Sequence, residues 1–227
     1  FCLTRPLEGI RTLGDTPRTE RLMERVYGSD PHFIMEDINH PEYGPDKDAQ
    51  KNAFVFWEAL PSYMKKFFLS AFSQKAIKNP ETRPTELSWL QVLVRFRSEI
   101  LKCQCGIEIL TENGESTICS KCKRKIDIPY RLSFTGCNYK IPGMPDSRIY
   151  RCQLGPCNAN EALMPIGRVL ANKANPDLLG VRNLTQKYWN AETPGGKDRK
   201  VAPQEIVPLR NGIKLFIESE IITIEDN

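Results

Sequence analysis

Cys103-Gln104-Cys105 and Cys119-Ser120-Lys121-Cys122 stand thirteen residues apart, and the segment they bracket decides how this chain is organised. Each close pair offers two thiolates from one tight turn, and the stretch between the pairs brings the second turn back to the first. That is what a tetrahedral metal site needs. Gly106 follows the first pair, where backbone N–H groups have to bend around sulfur. Asn113-Gly114 lies midway and carries a strong two-residue hairpin signature, flanked by strand-like runs at 107–110 and 116–118. A hairpin across Asn113-Gly114 is therefore expected. Buried free cysteines or two disulfides are the competing readings, and a C-x-C disulfide is strained. The segment reads as a zinc ribbon with Cys103, Cys105, Cys119 and Cys122 as its ligands.

Four thiolates close the coordination sphere and leave no position for water or substrate, so the zinc is expected to be structural. Binding energy of roughly 10–16 kcal/mol in such modules folds short segments that lack the apolar mass for a core. Activity has to be sought elsewhere in the chain.

The chain has 227 residues, 40% hydrophobic and 26% charged, which suits one or two globular domains beside a small metal module. No apolar run approaches the ~20 residues that span a bilayer, and no signal-peptide pattern opens the chain. Of eight cysteines the ribbon takes four, and a free-thiol reading of the others implies a reducing, cytoplasmic compartment. A net charge of +4 is mild for this length and does not by itself demand nucleic acid. Phe1 stands in an apolar stretch with no initiator methionine, as in a piece of a longer protein.

Residues 1–102 read as helical. Thr16-Pro17 opens a helix that Gly28 ends. Residues 29–52 read as a polar loop that holds both histidines, His32 and His40, as solvated side chains. Phe54, Trp57, Leu60, Tyr63, Met64, Phe67, Phe68, Ala71 and Phe72 then recur at helical spacing around Pro61 as a core stripe. Thr85 caps a last helix, with Trp89, Leu90, Leu93, Phe96 and Ile100 on its buried side, that runs into Cys103. Beyond Cys122 the pattern changes to short strands at 128–134, 148–152, 166–170, 187–191, 205–209, 213–217 and 221–224. Turn residues lie between them, including hairpin signatures at Pro194–Lys197 and Arg210–Gly212, and the spacing predicts a β-sandwich.

Leu3-Thr4-Arg5-Pro6-Leu7-Glu8-Gly9 resembles the passage that closes the long central helix of a serine/threonine protein kinase. Arg83-Pro84-Thr85, with Trp89 and Leu93 after it, resembles the start of that fold's last helices. The resemblance covers roughly residues 1–102. The glycine-rich loop, the ATP lysine and the HRD and DFG aspartates of a kinase do not occur in the chain, so this stretch is not itself an enzyme. The last hundred residues resemble a forkhead-associated (FHA) domain through Ile166-Gly167-Arg168, residues 181–185 and residues 207–216. That resemblance implies phosphothreonine recognition by Arg168, but the accompanying serine and histidine are absent, and Arg168 also reads as a structural arginine that anchors a loop. Kinase lobe, ribbon and FHA-like sandwich in this order are similar to the kinase-like member of a bacterial triad of kinase, phosphatase and von Willebrand factor A protein, associated with tellurite resistance. The resemblance implies a von Willebrand factor A domain protein as partner.

Cys152 and Cys157, with four residues between them, read as half of a candidate second metal site with Cys137 and a fourth ligand that is not evident, against single buried cysteines, and Cys2 reads as core. Lys121, Lys123, Arg124 and Lys125 form a basic cluster at the second knuckle, with Lys123 and Arg124 as candidate partner contacts. Without interleaved aromatics the cluster reads as a solvated face, or a contact with an acidic protein, rather than as a nucleic-acid site. Asn183-Leu184-Thr185 matches a glycosylation sequon, incidental in a cytoplasmic protein.

The expectation is an α+β protein of three parts: a kinase-lobe-like helical segment (1–102), a zinc ribbon (103–126) and an FHA-like antiparallel sandwich (127–227). Its expected role is a non-catalytic scaffold that binds a partner protein. The alternatives are a nucleic-acid-binding ribbon, or part of an active kinase whose catalytic residues lie upstream.

Overall fold

The computed structural model describes residues 31–41, 44, 45, 48 and 50–227. The motif at residues 3–9, Cys2 and the helix expected after Thr16 lie outside the described residues. The chain divides into two units, Phe1–Thr85 and Glu86–Asn227. It mixes helices with antiparallel sheets.

In the first unit, α1 (Lys51–Ala59) and α2 (Ser62–Phe72) meet at Pro61, whose extended backbone separates them. The short α3 (Gln74–Lys78) follows, its N-terminus capped by the Ser73 hydroxyl, which accepts from Ala76 N at 3.3 Å. Arg83 then donates back to the carbonyls of Ala76 (2.9 Å) and Ile77 (3.2 Å), satisfying the open end of α3.

The stretch expected as a polar loop instead supplies a buried apolar cluster among the described residues of this unit. Phe33, Ile34 and Met35 are buried against Trp57, Phe68, Leu69 and Phe72. The Phe33 ring lies edge-on to Trp57 at 5.7 Å and 5.9 Å from Phe72. Three consecutive apolar residues show no helical or strand period, so their burial is not visible in a pattern search, yet they cover the aromatic stripe of α1 and α2. His32 and His40, on either side, are half-buried rather than solvated.

The second unit opens with α4 (Glu86–Ser98), directly after Thr85. Ile100 does not extend its buried face, because the helix stops at Ser98 and Ile100 begins strand β1 (Ile100–Lys102), paired with β2 (Glu108–Leu110). Strands β3 (Thr117–Ile118) and β4 (Lys125–Ile126) form a second small pair.

Ten further strands form two antiparallel sheets. The larger runs β11 (Asp198–Val201), β10 (Trp189–Glu192), β13 (Lys214–Ile217), β14 (Glu220–Asp226), β5 (Tyr130–Phe134) and β6 (Lys140–Pro142) in that order. The smaller runs β12 (Ile206–Pro208), β9 (Leu179–Asn183), β8 (Pro165–Ala171) and β7 (Arg148–Tyr150). Neither closes into a barrel. Leu132, Ile141, Leu215, Ile222 and Ile224 of the first sheet share one apolar core with Ile149, Val169, Val181 and Val207 of the second. Strand alternation produces this, each inward residue standing between outward ones. Gly167 of β8 leaves room for the Trp189 ring from the other sheet: a Cβ there would lie 3.2 Å from it.

Two turns differ from expectation. Pro194–Lys197 does join a hairpin, β10 to β11, but Arg210–Gly212 carries the chain from β12 in one sheet to β13 in the other. Cys152 leaves strand β7 for a 3-10 turn (Arg151–Leu154) that precedes α5 (Ala159–Ala162). There it packs with Ala162 against Val94, Leu87 and Leu90 of α4, so this helix is seated on the sheet pair.

Candidate metal centre

Each cysteine pair sits at the tip of a two-stranded ribbon, and the two tips are built alike. At the first, Cys103 N donates to Ile107 O (2.8 Å) and Gly106 N to Cys103 O (2.8 Å). At the second, Cys119 N donates to Arg124 O (2.9 Å) and Lys123 N to Cys119 O (2.9 Å). The residue after each pair takes a left-handed backbone, Gly106 at φ 88° and Lys123 at φ 58°. This closes each turn, so that the chain returns along the second strand of its pair. The hairpins are thus the knuckles themselves. Asn113-Gly114 adopts the positive φ its sequence predicts (54° and 69°), but its flanking strands β2 and β3 pair with β1 and β4 instead of each other. Each knuckle has to fold back on itself to aim two sulfurs one way, and that claims both strands first.

All four Sγ atoms lie within 4.8 Å of one another. Cys103 Sγ is 3.6 Å from Cys122 Sγ, and Cys105 Sγ is 3.6 Å from Cys119 Sγ, so both close contacts run between knuckles. A disulfide would require about 2.05 Å. A tetrahedral ion with metal–sulfur bonds of about 2.3 Å sets its sulfurs near 3.8 Å apart, and the quartet is close enough to hold one. Cys103 and Cys119 are buried and Cys122 is exposed.

The surrounding backbone divides the thiols. Cys122 N points at Cys119 Sγ from 3.4 Å. That N–H, opposed by burial and helped by neighbouring donors, holds the Cys119 thiol down at about 6. At Cys103 the Cys105 N–H also favours the thiolate, but burial and the three neighbouring thiols outweigh it and push the group up to about 11. Arg124 donates to the Gln104 side chain and so ties the second knuckle to the first. Lys123 is exposed.

No protein-family model matches this chain, and no curated protein matches it. What the site does has to be argued from its own residues.

The ribbon is held on the larger sheet. Gly114 packs on β6 so tightly that a Cβ would lie 2.9 Å from Ile141 C and Pro142 N. The amide of Asn227 donates to Gly114 O (2.9 Å) and to Ser116 Oγ (3.3 Å), and Ser116 Oγ accepts from Ile128 N (3.0 Å).

Among the described residues the remaining cysteines do not join the quartet. Cys137 donates to Gln153 O at 3.3 Å, with its thiol pushed up by burial. Burial, with the Cys157 and Cys137 charges, pushes Cys152 up to about 12. Among the described residues only the quartet brings three or more ligand side chains together. Arg168 bonds Asp146, through Nε at 3.1 Å and through Nη2, and so anchors the loop before β7. Asn183 is fully buried, its Nδ2 donating to Lys187 O (2.8 Å), Val201 O and Ala202 O, which leaves no nitrogen for a glycan. No helix among the described residues is long and apolar enough to cross a membrane.

Proposed function

We propose that this chain is a non-catalytic scaffold in which a structural zinc ion, held by Cys103, Cys105, Cys119 and Cys122, fixes the ribbon on an FHA-like sheet pair and presents a rigid surface to a partner protein. The observation that carries this reading is a set of four cysteine sulfurs within 4.8 Å of one another on two hairpin tips, clamped to the larger sheet through Gly114 and Asn227. Such a donor set leaves no open position for chemistry and suits zinc, which has no redox role to play. The kinase-like and FHA-like motifs support a von Willebrand factor A domain protein as the partner, brought to a serine/threonine kinase.

The nucleic-acid alternative has less to stand on. Lys121 and Lys123 are exposed, but Lys125 pairs with Asp127 at 2.5 Å and Arg124 with Gln104.

Substituting Cys119→Ser together with Cys122→Ser is expected to abolish zinc binding and reduce capture of a von Willebrand factor A domain protein in a pull-down. Unchanged metal content overturns the zinc assignment. Capture that survives removal of residues 127–227 overturns the sheet pair as the contact.

A further inference from the structure

Strands β7, β8 and β9 set three arginines in one row. Arg148 stands opposite Arg168, and Arg168 opposite Arg182, with Ile206 of β12 closing the row. Their strand neighbours Ile149, Val169, Val181 and Val207 are buried in the core, so alternation puts the arginines on the outer face. Residues paired this way have Cβ atoms about 5 Å apart, and like charges directly opposite destabilise a sheet.

One carboxylate answers the three guanidinium groups, that of Asp146 on Arg168. Arg148 and Arg182 make no ion pair or side-chain hydrogen bond among the described residues, and Arg182 Nε is buried without an acceptor. Arg182 Nε is one of six buried side-chain donors or acceptors without a partner among the described residues, and an added acceptor is one way to satisfy it. Beside the row runs a groove of about 710 Å3 between the ribbon and the smaller sheet. Arg97 and Lys102 join Arg148 and Arg168 on its walls, against Glu108 and Asp146, and Ile100 and Leu101 add apolar surface.

We propose that the arginine row and its groove hold an extended acidic segment of a protein partner, with carboxylates on Arg148, Arg168 and Arg182 and apolar side chains against Ile100 and Leu101. Two features of the site favour a peptide over a nucleic acid. The groove walls mix cations with aliphatic side chains, and Tyr150 is the one aromatic among the described residues that line it, too few for a stacking platform. Asp146 acts as an internal competitor that occupies Arg168 until a ligand carboxylate replaces it. This inference rests on the partner-binding reading above and gives it a site.

The test is fluorescence anisotropy of labelled octaglutamate titrated with the full zinc-loaded chain. Binding is expected, weakening as salt rises. Arg148→Gln with Arg182→Gln should weaken it about tenfold. Asp146→Asn should tighten it about threefold, and asparagine keeps the left-handed backbone there (φ 71°). The melting temperature of the arginine double variant should hold or rise as like-charge repulsion is relieved, which shows that the fold is intact. No octaglutamate binding, binding unmoved by these substitutions, or an oligothymidylate that depends on the row more strongly than the peptide would each overturn the proposal. Capture of a von Willebrand factor A protein by the arginine double variant at the wild-type level overturns the site and leaves the partner reading standing. Row-dependent peptide binding without such capture does the reverse.

Discussion

The carboxylate of Glu99 is fully buried and accepts a hydrogen bond from Nε of Arg95, one helical turn earlier, at 3.1 Å. The Arg95 guanidinium also lies 4.6 Å from the centroid of the Tyr139 ring, a cation–π contact with the segment between β5 and β6. The same oxygen, Glu99 Oε1, accepts from Asn113 N (3.4 Å), and Glu99 O accepts from both Thr111 N and Thr111 Oγ1 at 2.7 Å. The end of α4, the turn of the ribbon and the edge of the larger sheet therefore meet at one ion pair.

Glu99→Ala is expected to destabilise the chain by about 3 kcal/mol, because it removes the buried acceptor that Arg95 Nε and Asn113 N share. Urea unfolding of the zinc-loaded protein measures it. Arg97→Ala, on an exposed neighbour, should change stability by no more than about 0.5 kcal/mol.

Two ribbon glycines separate backbone strain from packing. Gly106 has φ 88° and open space around a Cβ, so Gly106→Ala should cost about 1 kcal/mol from conformation alone. Gly114→Ala adds a contact at 2.9 Å with the backbone of β6 and should cost about 3 kcal/mol. Equal losses in thermal unfolding would mean that the ribbon does not bear on β6.

Metal affinity should fall with falling pH, and more steeply below about 6. Binding a metal displaces a proton from Cys103 at any pH below about 11, and from Cys119 as well only below about 6. Chelator competition across that range gives the slope. A constant slope through pH 6 would show that the Cys122 N–H does not favour the Cys119 thiolate.

How much of this was legible in the sequence depends on how local each feature is. The quartet was legible because ligand spacing is fixed within a few residues of each turn. Strands β5, β8, β13 and β14 were legible because they alternate or run apolar. Strand β11, Asp198-Arg199-Lys200-Val201, was not: it is a polar edge strand held by pairing with β10. Strand β6 is three residues long and ends in proline. The conformation of Asn113-Gly114 could be read from its residues, but its strand partners are a non-local outcome. The arginine row is invisible in sequence because Arg148, Arg168 and Arg182 become neighbours only through register. Glu99 left a faint sign, an Arg-to-Glu spacing of four at a helix end just ahead of Cys103, that also fits an ordinary surface pair.

The proposed role of the ribbon depends on four cysteine sulfurs holding a structural zinc ion. Zinc K-edge X-ray absorption on the purified chain tests it most directly. A single shell of four sulfurs at about 2.3 Å is expected, lost in Cys119→Ser/Cys122→Ser. A shell containing nitrogen or oxygen ligands, or no bound zinc, would contradict it.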